Sequence, residues 1–472
     1  MSTPSADEFE RKVLHPGLSV NSGVYSAIDP SIRMRLNERG EYEYFGATPD
    51  WYSPRAEQLL AVSAFGTSES EASIADRLFP TAEGTRTHPV IGNYRSLTAG
   101  FVAEGDFRER GSSGGLTSWL LTELLETGLI DAVVHMVPTP NENTLFGYRI
   151  STSSEGIAGG SKSRYYPGEL SSLLAGIVES GKRYAVTAIP SIAYEIRLLQ
   201  RADPRYGDAI RFVIGLVCGH QKTANYAKQL AWRAGILPSE LTAIDFRSKD
   251  PETGANRYRA EVTGLREGRE VITHIRQGSI DETDWGLGMF KSNFSDYTED
   301  AFNETADAVF GDAWLPEYVG ESSGTNIAIV RSRALDDIIQ EARRAGRLYL
   351  DDLSENQVLN SQAALVTHSV REVAARFRIL RSRSEYTPAP RRPDEMPRVS
   401  LLRREIQKVR IDLSRVSHEA WIAASEAGDI RVFDERMAPL VDRYRRLQKL
   451  IRLSRKPKNA LRKLKRRLTT SG

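Results

Sequence analysis

Between residues 113 and 235 the apolar positions switch repeatedly between helical spacing and the unbroken runs that are typical of buried strands. Residues 113–128 place leucines at helical spacing behind a glycine-rich start, and residues 130–138 then form an apolar strand-like run. Further helices are predicted at 168–181, 192–200 and 222–235, and further strands at 183–190 and 210–218. This alternation predicts an α/β fold with a mixed, mainly parallel sheet and flanking helices.

The regions on either side of this core have a looser pattern. Residues 1–88 are polar and weakly periodic, and a further strand is predicted at 324–332. A Pro- and Arg-rich stretch at 387–397 predicts a linker. The remainder, 398–472, predicts an α-helical C-terminal extension. Its apolar stripe is interrupted at Pro457 and comprises Met437, Leu440, Val441, Tyr444, Leu447, Ile451, Leu461, Leu464 and Leu468.

The composition is that of a soluble globular protein with room for more than one domain. The chain has 472 residues, of which 40% are hydrophobic and 27% are charged. No apolar run reaches the roughly 18 residues that a membrane-spanning helix needs. The N-terminal residues are polar and lack the apolar core of a signal peptide, so the sequence predicts a cytoplasmic protein.

The net charge of +2 conceals a strongly basic tail. Residues 396–472 contain 21 Lys or Arg and 8 Asp or Glu, a net charge of +13, so the preceding residues carry 2 − 13 = −11. An acidic body with a basic helical tail predicts contact with an anionic membrane surface, here the inner membrane face, or with a partner protein. A helix packed on its own body remains the alternative. Nucleic acid is less favoured as a partner, because Tyr444 is the only aromatic residue among the cations of 443–472.

The chain contains a single cysteine, Cys218. One thiol excludes an intrachain disulfide and any cysteine-rich zinc site. It also excludes an iron–sulfur cluster held by four cysteines of this chain. No other group of residues has the spacing of a metal site, so no metal ligand is predicted.

A glycine-rich loop, GSSGG at 111–115, opens the helix predicted at 113–128. Small residues let a ligand approach the backbone, and a helix N-terminus offers free N–H groups to an anion. The pattern predicts a phosphate or pyrophosphate cradle, with a flexible capped turn as the alternative. It matches neither the Walker A nor the G-x-G-x-x-G motif.

Several segments together resemble the coenzyme F420 hydrogenase/dehydrogenase beta-subunit family, over about residues 15–350. The matching runs occur in the family's order and lie at 108–134, 161–170, 183–200, 211–236, 304–318 and 324–332. Family members related to polysaccharide gene clusters look most similar, through CGHQK (218–222), IDFRSK (244–249) and GDAWLPEY (311–318). The resemblance implies FAD as a cofactor, and a small-molecule electron donor or acceptor that exchanges electrons with it.

The family's iron–sulfur ligands are missing from this chain. The segment 18–30 keeps the outline of a ferredoxin-type cysteine run, but its ligand positions hold Ser19, Ser22, Tyr25 and Asp29. Other family cysteines correspond to Ser191, Ser295 and Thr298, and only Cys218 keeps its thiol. Hydroxyls are much poorer ligands for such clusters than thiolates. The sequence therefore predicts a member without a cluster.

Five segments follow from the pattern and the resemblance together. A degenerate ferredoxin-like segment occupies 1–88, and the flavoprotein core is divided into 89–182, with the glycine-rich loop, and 183–350. Residues 351–397 form an extension with the linker, and 398–472 form the basic helical tail.

Candidate site residues gather on loops that follow predicted strands. The resemblance implies that Ser112, Ser113, Gly114 and Gly115 hold the flavin phosphates. Lys162 and Arg164 would neutralise the pyrophosphate or lie beside the flavin ring, unless they are surface charges of a loop. Asn143 follows the end of a strand, where α/β proteins bind ligands, although a polar turn explains it as well.

A second group of candidates follows the strand predicted at 210–218. Cys218 would contact the cofactor, and His220 is the candidate proton donor. Lys222 would stabilise an anionic flavin or bind an acidic substrate. The alternative is a buried cysteine at the end of a strand, with a capping histidine.

Three hypotheses of function remain open at this point. The first is a flavin-dependent oxidoreductase without iron–sulfur clusters that acts in surface-polysaccharide synthesis. The second is a non-redox member of the family that serves as a scaffold or a transferase-type enzyme. The third is a peripheral membrane adaptor whose function lies in the tail.

Overall fold

The computed structural model describes residues 3–81, 84–139, 144–391 and 398–469, with side chains up to residue 454. The helices, in chain order, are α1 Pro4–Phe9, α2 Tyr25–Ile28, α3 Ala56–Val62, α4 Glu71–Leu78, α5 Phe107–Arg110, α6 Leu116–Glu126, α7 Ser154–Gly159, α8 Ser171–Glu179, α9 Pro190–Ala202, α10 Pro204–Ala209, α11 Ala224–Arg233, α12 Arg333–Arg344, α13 Glu355–Ser361, α14 Ala363–Val366, α15 Val373–Ser382, α16 Leu401–Ala427 and α17 Arg431–Thr469. The strands are β1 Arg33–Leu36, β2 Tyr42–Phe45, β3 Arg86–His88, β4 Gly92–Tyr94, β5 Ser96–Val102, β6 Ala132–Pro138, β7 Phe146–Ser151, β8 Tyr184–Ala188, β9 Ile210–Leu216, β10 Leu241–Ser248, β11 Arg259–Arg266, β12 Arg269–Arg276, β13 Ala308–Asp312, β14 Asn326–Val330 and β15 Leu348–Asp352.

An eight-stranded sheet forms the centre of the molecule, in the order β15-β5-β14-β13-β9-β8-β6-β7. The strands β6, β8, β9 and β13 run parallel to one another, whereas β7, β14, β5 and β15 join through antiparallel pairings. Five of the eight strands therefore point the same way. The predicted mixed α/β sheet with flanking helices is confirmed.

The apolar runs of the sequence explain why this sheet is buried. Every residue of β8 and of β14 is buried, as continuous apolar strands require when both faces of a parallel sheet are covered. A separate three-stranded antiparallel sheet, β10-β11-β12, lies beside the central one. The small hairpins β1-β2 and β3-β4 complete the strands of the described residues.

The N-terminal segment shares the core of the central sheet. Phe9, Val24 and Leu59 are fully buried and belong to the same apolar cluster as Ile192 and Ile196 of α9. Residues 1–88 and 89–182 remain predicted divisions of the chain, and no separate core distinguishes the described part of the first one.

The predicted C-terminal helical extension is also present. Helix α17 packs along α16, and α16 buries Ile406, Val409 and Leu413 in one apolar cluster with Met437 and Val441 of α17. Pro457 does not end α17, which continues to Thr469. The side chains of Leu461, Leu464 and Leu468 lie outside the described residues. No helix in the described part of the chain is both long and apolar enough to cross a membrane.

Residues 392–397 of the predicted linker lie outside the described part, but Arg391 at its edge is anchored. Its guanidinium pairs with the buried carboxylate of Glu71, donates to the carbonyl of Ala64 at 3.1 Å and lies over the ring of Tyr194 at 4.8 Å. The chain that precedes the C-terminal helices is therefore tied to the N-terminal segment by a buried charge.

Candidate functional site

A large cleft opens at the carboxyl ends of β8, β9 and β13. It contains about 1430 Å³ of unfilled space, including its open mouth. The strand ends contribute Thr187, Ala188, Leu216, Gly311 and Asp312, and the glycine-rich loop closes one side. Ligands of α/β proteins bind at this edge of the sheet, because the connecting loops leave a crevice there.

The glycine-rich loop is pressed against the sheet at the start of α6. Gly115 has φ of +85°, and a Cβ atom there would lie 2.6 Å from the carbonyl oxygen of Phe107. A Cβ atom on Gly114 would lie 2.5 Å from the carbonyl oxygen of Gly100 and 2.9 Å from the amide of Asn326. The lack of a side chain at Gly114 therefore lets the loop pack closely against β5 and β14. Gly114 itself does not line the cleft.

The other three predicted loop residues line the cleft: Ser112, Ser113 and Gly115. The hydroxyl of Ser112 accepts a hydrogen bond from the amide of Ser163 at 2.9 Å. The hydroxyl of Ser113 donates to the carbonyl of Thr325 at 3.0 Å. The first amide of α6, that of Leu116, donates to Asn326 Oδ1 at 3.2 Å, so the next amides, at Thr117 and Ser118, are the ones suited to an anion in the cleft.

Two predicted cations line the cleft on either side of Ser163, whose amide is bonded to this loop. Lys162 Nζ is 3.1 Å from a carboxylate oxygen of Asp245. Arg164 lies over the ring of Phe146 at 4.8 Å, and its buried Nε has no hydrogen-bond partner. Burial lowers the pKa of Arg164 to about 10 while Asp245 opposes the change, so the guanidinium stays charged at neutral pH. A charged donor without a partner is suited to an anionic ligand.

Two further cations at this end of the cleft were not singled out from the sequence. Arg247 is buried, pairs with the carboxylate of Asp312 and lies 4.5 Å from the ring centre of Tyr258. Its Nε is also buried without a partner. Lys249 donates to the carbonyls of Arg108 and Ser113, and burial together with nearby Lys162 lowers its pKa to about 8.

These residues could have been recognised in the sequence from the alternation of polar and apolar positions at 244–249. Asp245, Arg247 and Lys249 alternate with the buried Ile244 and Phe246. Of the three polar positions, Arg247 lines the cleft. Asp245 contacts the cleft residue Lys162, and Lys249, one residue beyond β10, donates to the carbonyl of the cleft residue Ser113.

Cys218, His220 and Lys222 follow β9 and line the same cleft. Burial raises the pKa of the Cys218 thiol to about 11, so the thiol stays protonated and is not a nucleophile at neutral pH. Burial and the charges of Lys222 and Lys291 hold the pKa of His220 well below its usual range. His220 is therefore neutral, and its Nε2 has no hydrogen-bond partner.

Lys222 is 2% exposed and is held in a cage of polar and aromatic groups. Its Nζ donates to the carbonyl of Met289 at 2.6 Å and lies 4.7 Å and 4.9 Å from the ring centres of Tyr226 and Trp285. Burial, together with Lys291, lowers its pKa to about 7. Of this pair, Lys222 is the group whose pKa lies near neutral pH.

The structure thus brings the predicted residues of both groups together around one cleft. Two predicted residues are exceptions: Gly114 packs against β5 and β14 and does not line the cleft, and Asn143 lies outside the described residues. A flavin nucleotide needs charged donors for its phosphates and an apolar, partly enclosed space for its ring. The unpartnered Nε atoms of Arg164 and Arg247 and the start of α6 fit the first requirement.

Of the four positions predicted to replace cluster cysteines in the N-terminal segment, Ser22 and Tyr25 lie near the buried carboxyl group of Glu195, whereas Asp29 accepts from the amide of Ser31 and lies 3.9 Å from Arg55. Ser22 Oγ donates to Glu195 Oε2 at 2.5 Å, and the amide of Ala64 donates to Oε1 at 3.1 Å. Tyr25 is fully buried and stacks on Tyr44 at 4.3 Å. Burial raises the pKa of Glu195 to about 7. The groups present here are hydroxyls and one carboxyl, and they do not fit an iron–sulfur cluster.

The second predicted set of replaced cysteines also makes ordinary polar contacts. Ser295 Oγ accepts from the amide of Gln221 at 3.1 Å, and Thr298 Oγ1 donates to the carbonyl of Ser295 at 3.2 Å. Ser191 is buried near the start of α9.

Comparison with known protein families gives two adjoining matches. Both family models describe the beta subunit of coenzyme F420 hydrogenase/dehydrogenase: the model of its N-terminal part matches residues 97–175, and the model of its C-terminal part matches residues 181–356. Together they cover 79 + 176 = 255 of the 472 residues. No curated protein matches the chain.

Among solved structures, the fold is similar to a chain from the F420-reducing nickel–iron hydrogenase complex of Methanosarcina barkeri. The identity is 14% and the TM-score is 0.49, over 65% of this chain and 99% of that chain.

Proposed function

Since the chain belongs to the coenzyme F420 hydrogenase/dehydrogenase beta-subunit family, we propose that it is a flavin-dependent oxidoreductase that binds FAD in the cleft and carries no iron–sulfur cluster. The observation that carries the proposal is the set of buried, unpartnered nitrogen atoms that line the cleft, on Arg164, Arg247 and His220. Buried polar groups in a native protein are almost always paired, so three unpaired ones around a single cleft support a ligand that completes them.

The flavin phosphates would lie between the start of α6 and the cations Lys162 and Arg164. Free N–H groups at a helix start and charged side chains are the usual partners of a pyrophosphate. Gly115 is required here, because its positive φ and the closeness of Phe107 leave no room for a side chain. The bound flavin would supply hydride transfer to or from a second, small-molecule reactant.

Around the reacting end of the cleft, this chain's residues would hold charge and move a proton. Lys222, with a pKa of about 7, can gain or lose a proton at Nζ under physiological conditions. The neutral His220 can offer its Nε2 to the ligand. The thiol of Cys218 stays protonated and contributes shape rather than redox chemistry.

The absence of a cluster is part of the proposal and rests on the donor set. One thiol cannot hold a 4Fe–4S cube, and the residues around Glu195 offer oxygen rather than sulfur. Electrons would therefore reach the flavin directly from a soluble donor. Surface-polysaccharide synthesis as the setting rests only on the likeness of 218–222, 244–249 and 311–318 to members from such gene clusters.

The basic tail supports a second proposal, association with an anionic membrane surface. The first part of α17 buries Phe433, Met437, Val441 and Ile451 against the body, which leaves that part unavailable for a membrane. The cations of 455–472 follow this packed stripe in the sequence. Lys and Arg near an anionic bilayer are attracted by roughly 1 kcal/mol each.

A direct test is the cofactor content of the purified full-length chain. We expect the absorption bands of an oxidised flavin, FAD in the heat-released supernatant and no iron by elemental analysis. Lys162→Ala should weaken FAD binding about tenfold, since a charge-assisted contact contributes about 1.5 kcal/mol or more. The exposed Lys182→Ala serves as the matched control and should bind FAD as the wild type does.

A colourless chain that takes up no added FAD would overturn the proposal and favour the scaffold or transferase alternatives. Stoichiometric iron with labile sulfide would overturn the part that concerns the cluster.

A further inference from the structure

Four buried cations form a cluster behind the loop that follows β9. The cationic cluster comprises Lys222, Lys291, Arg376 and Arg410, which are 2%, 1%, 0% and 9% exposed. They come from four separate parts of the chain: the β9–α11 loop, the segment before residue 296, α15 and α16. Only Lys222 lines the cleft proposed for the flavin.

Asp296 is the acid that three of these cations share, Lys291, Arg376 and Arg410. Its Oδ1 lies 2.6 Å from Lys291 Nζ and 3.5 Å from Arg376 Nε. Lys222 is paired with Lys291 through an isolated antiparallel bridge, which places their side chains side by side. One carboxylate thus faces two cations directly, with two more close by.

The other acids whose charge reaches the cluster are Glu282, Asp284, Glu299 and Glu372, and each also has another partner. Glu299 accepts from the amide of Arg391, and Asp284 accepts from the amide of Gly286. Glu372 accepts from Arg403 and Gln407, and Glu282 accepts from Gln229 and Arg233. These carboxylates therefore do not neutralise the cluster fully. A buried charge without a counterion is strongly unfavourable, because burial removes its hydration.

Three hydrogen-bond donors of the cluster and its neighbour His368 have no partner among the residues that the structure describes. They are Arg410 Nε, Arg376 Nη2 and His368 Nε2, and all three atoms are buried. Arg376 Nη1 donates to His368 Nδ1 at 3.2 Å, so the ring proton of His368 is on Nε2 and this atom is a donor too. Within the described residues, Arg410 makes neither a side-chain hydrogen bond nor an ion pair.

Two of the three donor residues are in direct contact, and the charge of Arg410 acts on both of them. Arg376 contacts His368 directly through two bonds, the second being Nη1 to the His368 carbonyl at 2.6 Å. His368 Nε2 lies 4.0 Å from Asp296 Oδ1, which is beyond hydrogen-bond distance. Burial first, and then the nearby cations including Arg376 and Arg410, hold the pKa of His368 well below its usual range. These donors lack acceptors and lie among positive charges. A group that completes them would therefore be an anion with hydrogen-bond acceptor atoms.

We propose that this cluster binds a small oxyanion, a group with phosphate-, sulfate- or carboxylate-type oxygens, between Arg376, Arg410 and His368. The anion would accept from Arg410, from Arg376 Nη2 and from His368 Nε2, and it would neutralise the excess charge shared around Asp296. The site is separate from the flavin phosphate site and does not depend on the flavin proposal. A bound anion would also favour protonated Lys222, because it offsets the positive charges of Lys291 and Arg410.

The test uses the full-length chain and inorganic anions as probes. Thermal unfolding is followed while sodium phosphate replaces sodium chloride at constant ionic strength, and the series is repeated with sulfate and with formate. We expect a saturable rise of the unfolding temperature with at least one of the three, as ligand binding to the native state requires. The response to phosphate or sulfate as against formate separates tetrahedral oxyanions from carboxylates.

Variants on one helix provide the matched comparison. Arg410→Gln should weaken the anion response at least tenfold, and without anion it should be no less stable than the wild type, since an unpaired charge is removed. Arg404→Gln removes an exposed arginine of α16 and should respond as the wild type does. Arg410→Lys, which keeps the charge but shortens the donor group, should show a weakened response and replaces Arg410→Gln if that chain does not fold.

Two outcomes would overturn the proposal. One is the absence of any saturable response in the wild type. The other is a response that Arg410→Gln keeps and Lys162→Ala loses, because the anion would then occupy the phosphate end of the cleft. FAD content is measured on the same preparations, and Arg410→Gln should retain the wild-type FAD content. A failure of the flavin proposal can then be distinguished from a failure of the anion proposal.

Discussion

Replacement of Glu195 by glutamine should change how the stability of this protein depends on pH. Glu195 is 1% exposed and accepts from Ser22 and from the amide of Ala64. Burial raises its pKa from an ordinary 4.5 to about 7, against the two hydrogen bonds that lower it. Glutamine keeps the size and one acceptor oxygen but cannot ionise.

The magnitude follows from the difference between the folded and unfolded pKa values. Below pH 4.5 the carboxyl is protonated in both states, and its ionisation costs nothing. Between pH 4.5 and about 7 the unfolded chain releases the proton while the folded chain keeps it, so stability falls as the pH rises. Above about pH 7 both states are ionised. The full loss is then about 3 kcal/mol, at about 1.4 kcal/mol for each unit of pKa.

Urea unfolding of the wild type and of Glu195→Gln at pH 5, 6, 7 and 8 measures this loss. The stability difference between the two chains should shift in favour of the glutamine variant by about 2 to 3 kcal/mol from pH 5 to pH 8. Other titrating groups cancel in the difference, and the new amide adds only an offset that does not vary with pH. Exposed Glu179→Gln on α8 is the control and should show no such trend. A difference that stays constant with pH would refute the reasoning.

Two further outcomes test the packing of the glycine-rich loop and the role of the tail. Gly114→Ala should cost about 3 kcal/mol in urea unfolding, because its Cβ would lie 2.5 Å from the Gly100 carbonyl oxygen; Gly159→Ala, with nothing within 4 Å, should cost nothing. Equal stability of the two chains would contradict the close approach. A stop after Ser454 removes eight cations and none of the buried stripe, whose last member is Ile451. It should abolish sedimentation with phosphatidylglycerol vesicles but leave FAD content unchanged, and unchanged sedimentation would refute the membrane proposal.

The sequence located four of the eight strands of the central sheet, β6, β8, β9 and β14, and did not predict β13 and β15. The strands predicted at 130–138, 183–190 and 210–218 correspond to β6, β8 and β9. The helices predicted at 113–128 and 222–235 correspond to α6 and α11. These elements were accessible because the spacing of apolar side chains along a segment reflects which faces it buries. The antiparallel strands β5 and β7 were not predicted.

Part of the candidate site could also be predicted from the sequence. The glycine-rich loop, Lys162, Arg164 and the residues after β9 stand out locally, and they line one cleft. Arg247 was not singled out, because a charged residue within a strand is ordinarily a solvated position. Its importance depends on Asp312, which is 65 residues away.

By itself, the sequence determined the α/β pattern, the family likeness, the basic tail and the presence of a single thiol. The tertiary structure alone decided which charges are buried together. Ser22 meets Glu195 across 173 residues, and Lys291 and Arg376 meet at Asp296. Local spacing encodes helices and strands because neighbouring residues interact within one element. Burial and charge proximity arise only when elements pack, and these set the pKa values of Glu195 and Lys222 and leave Arg410 without a partner.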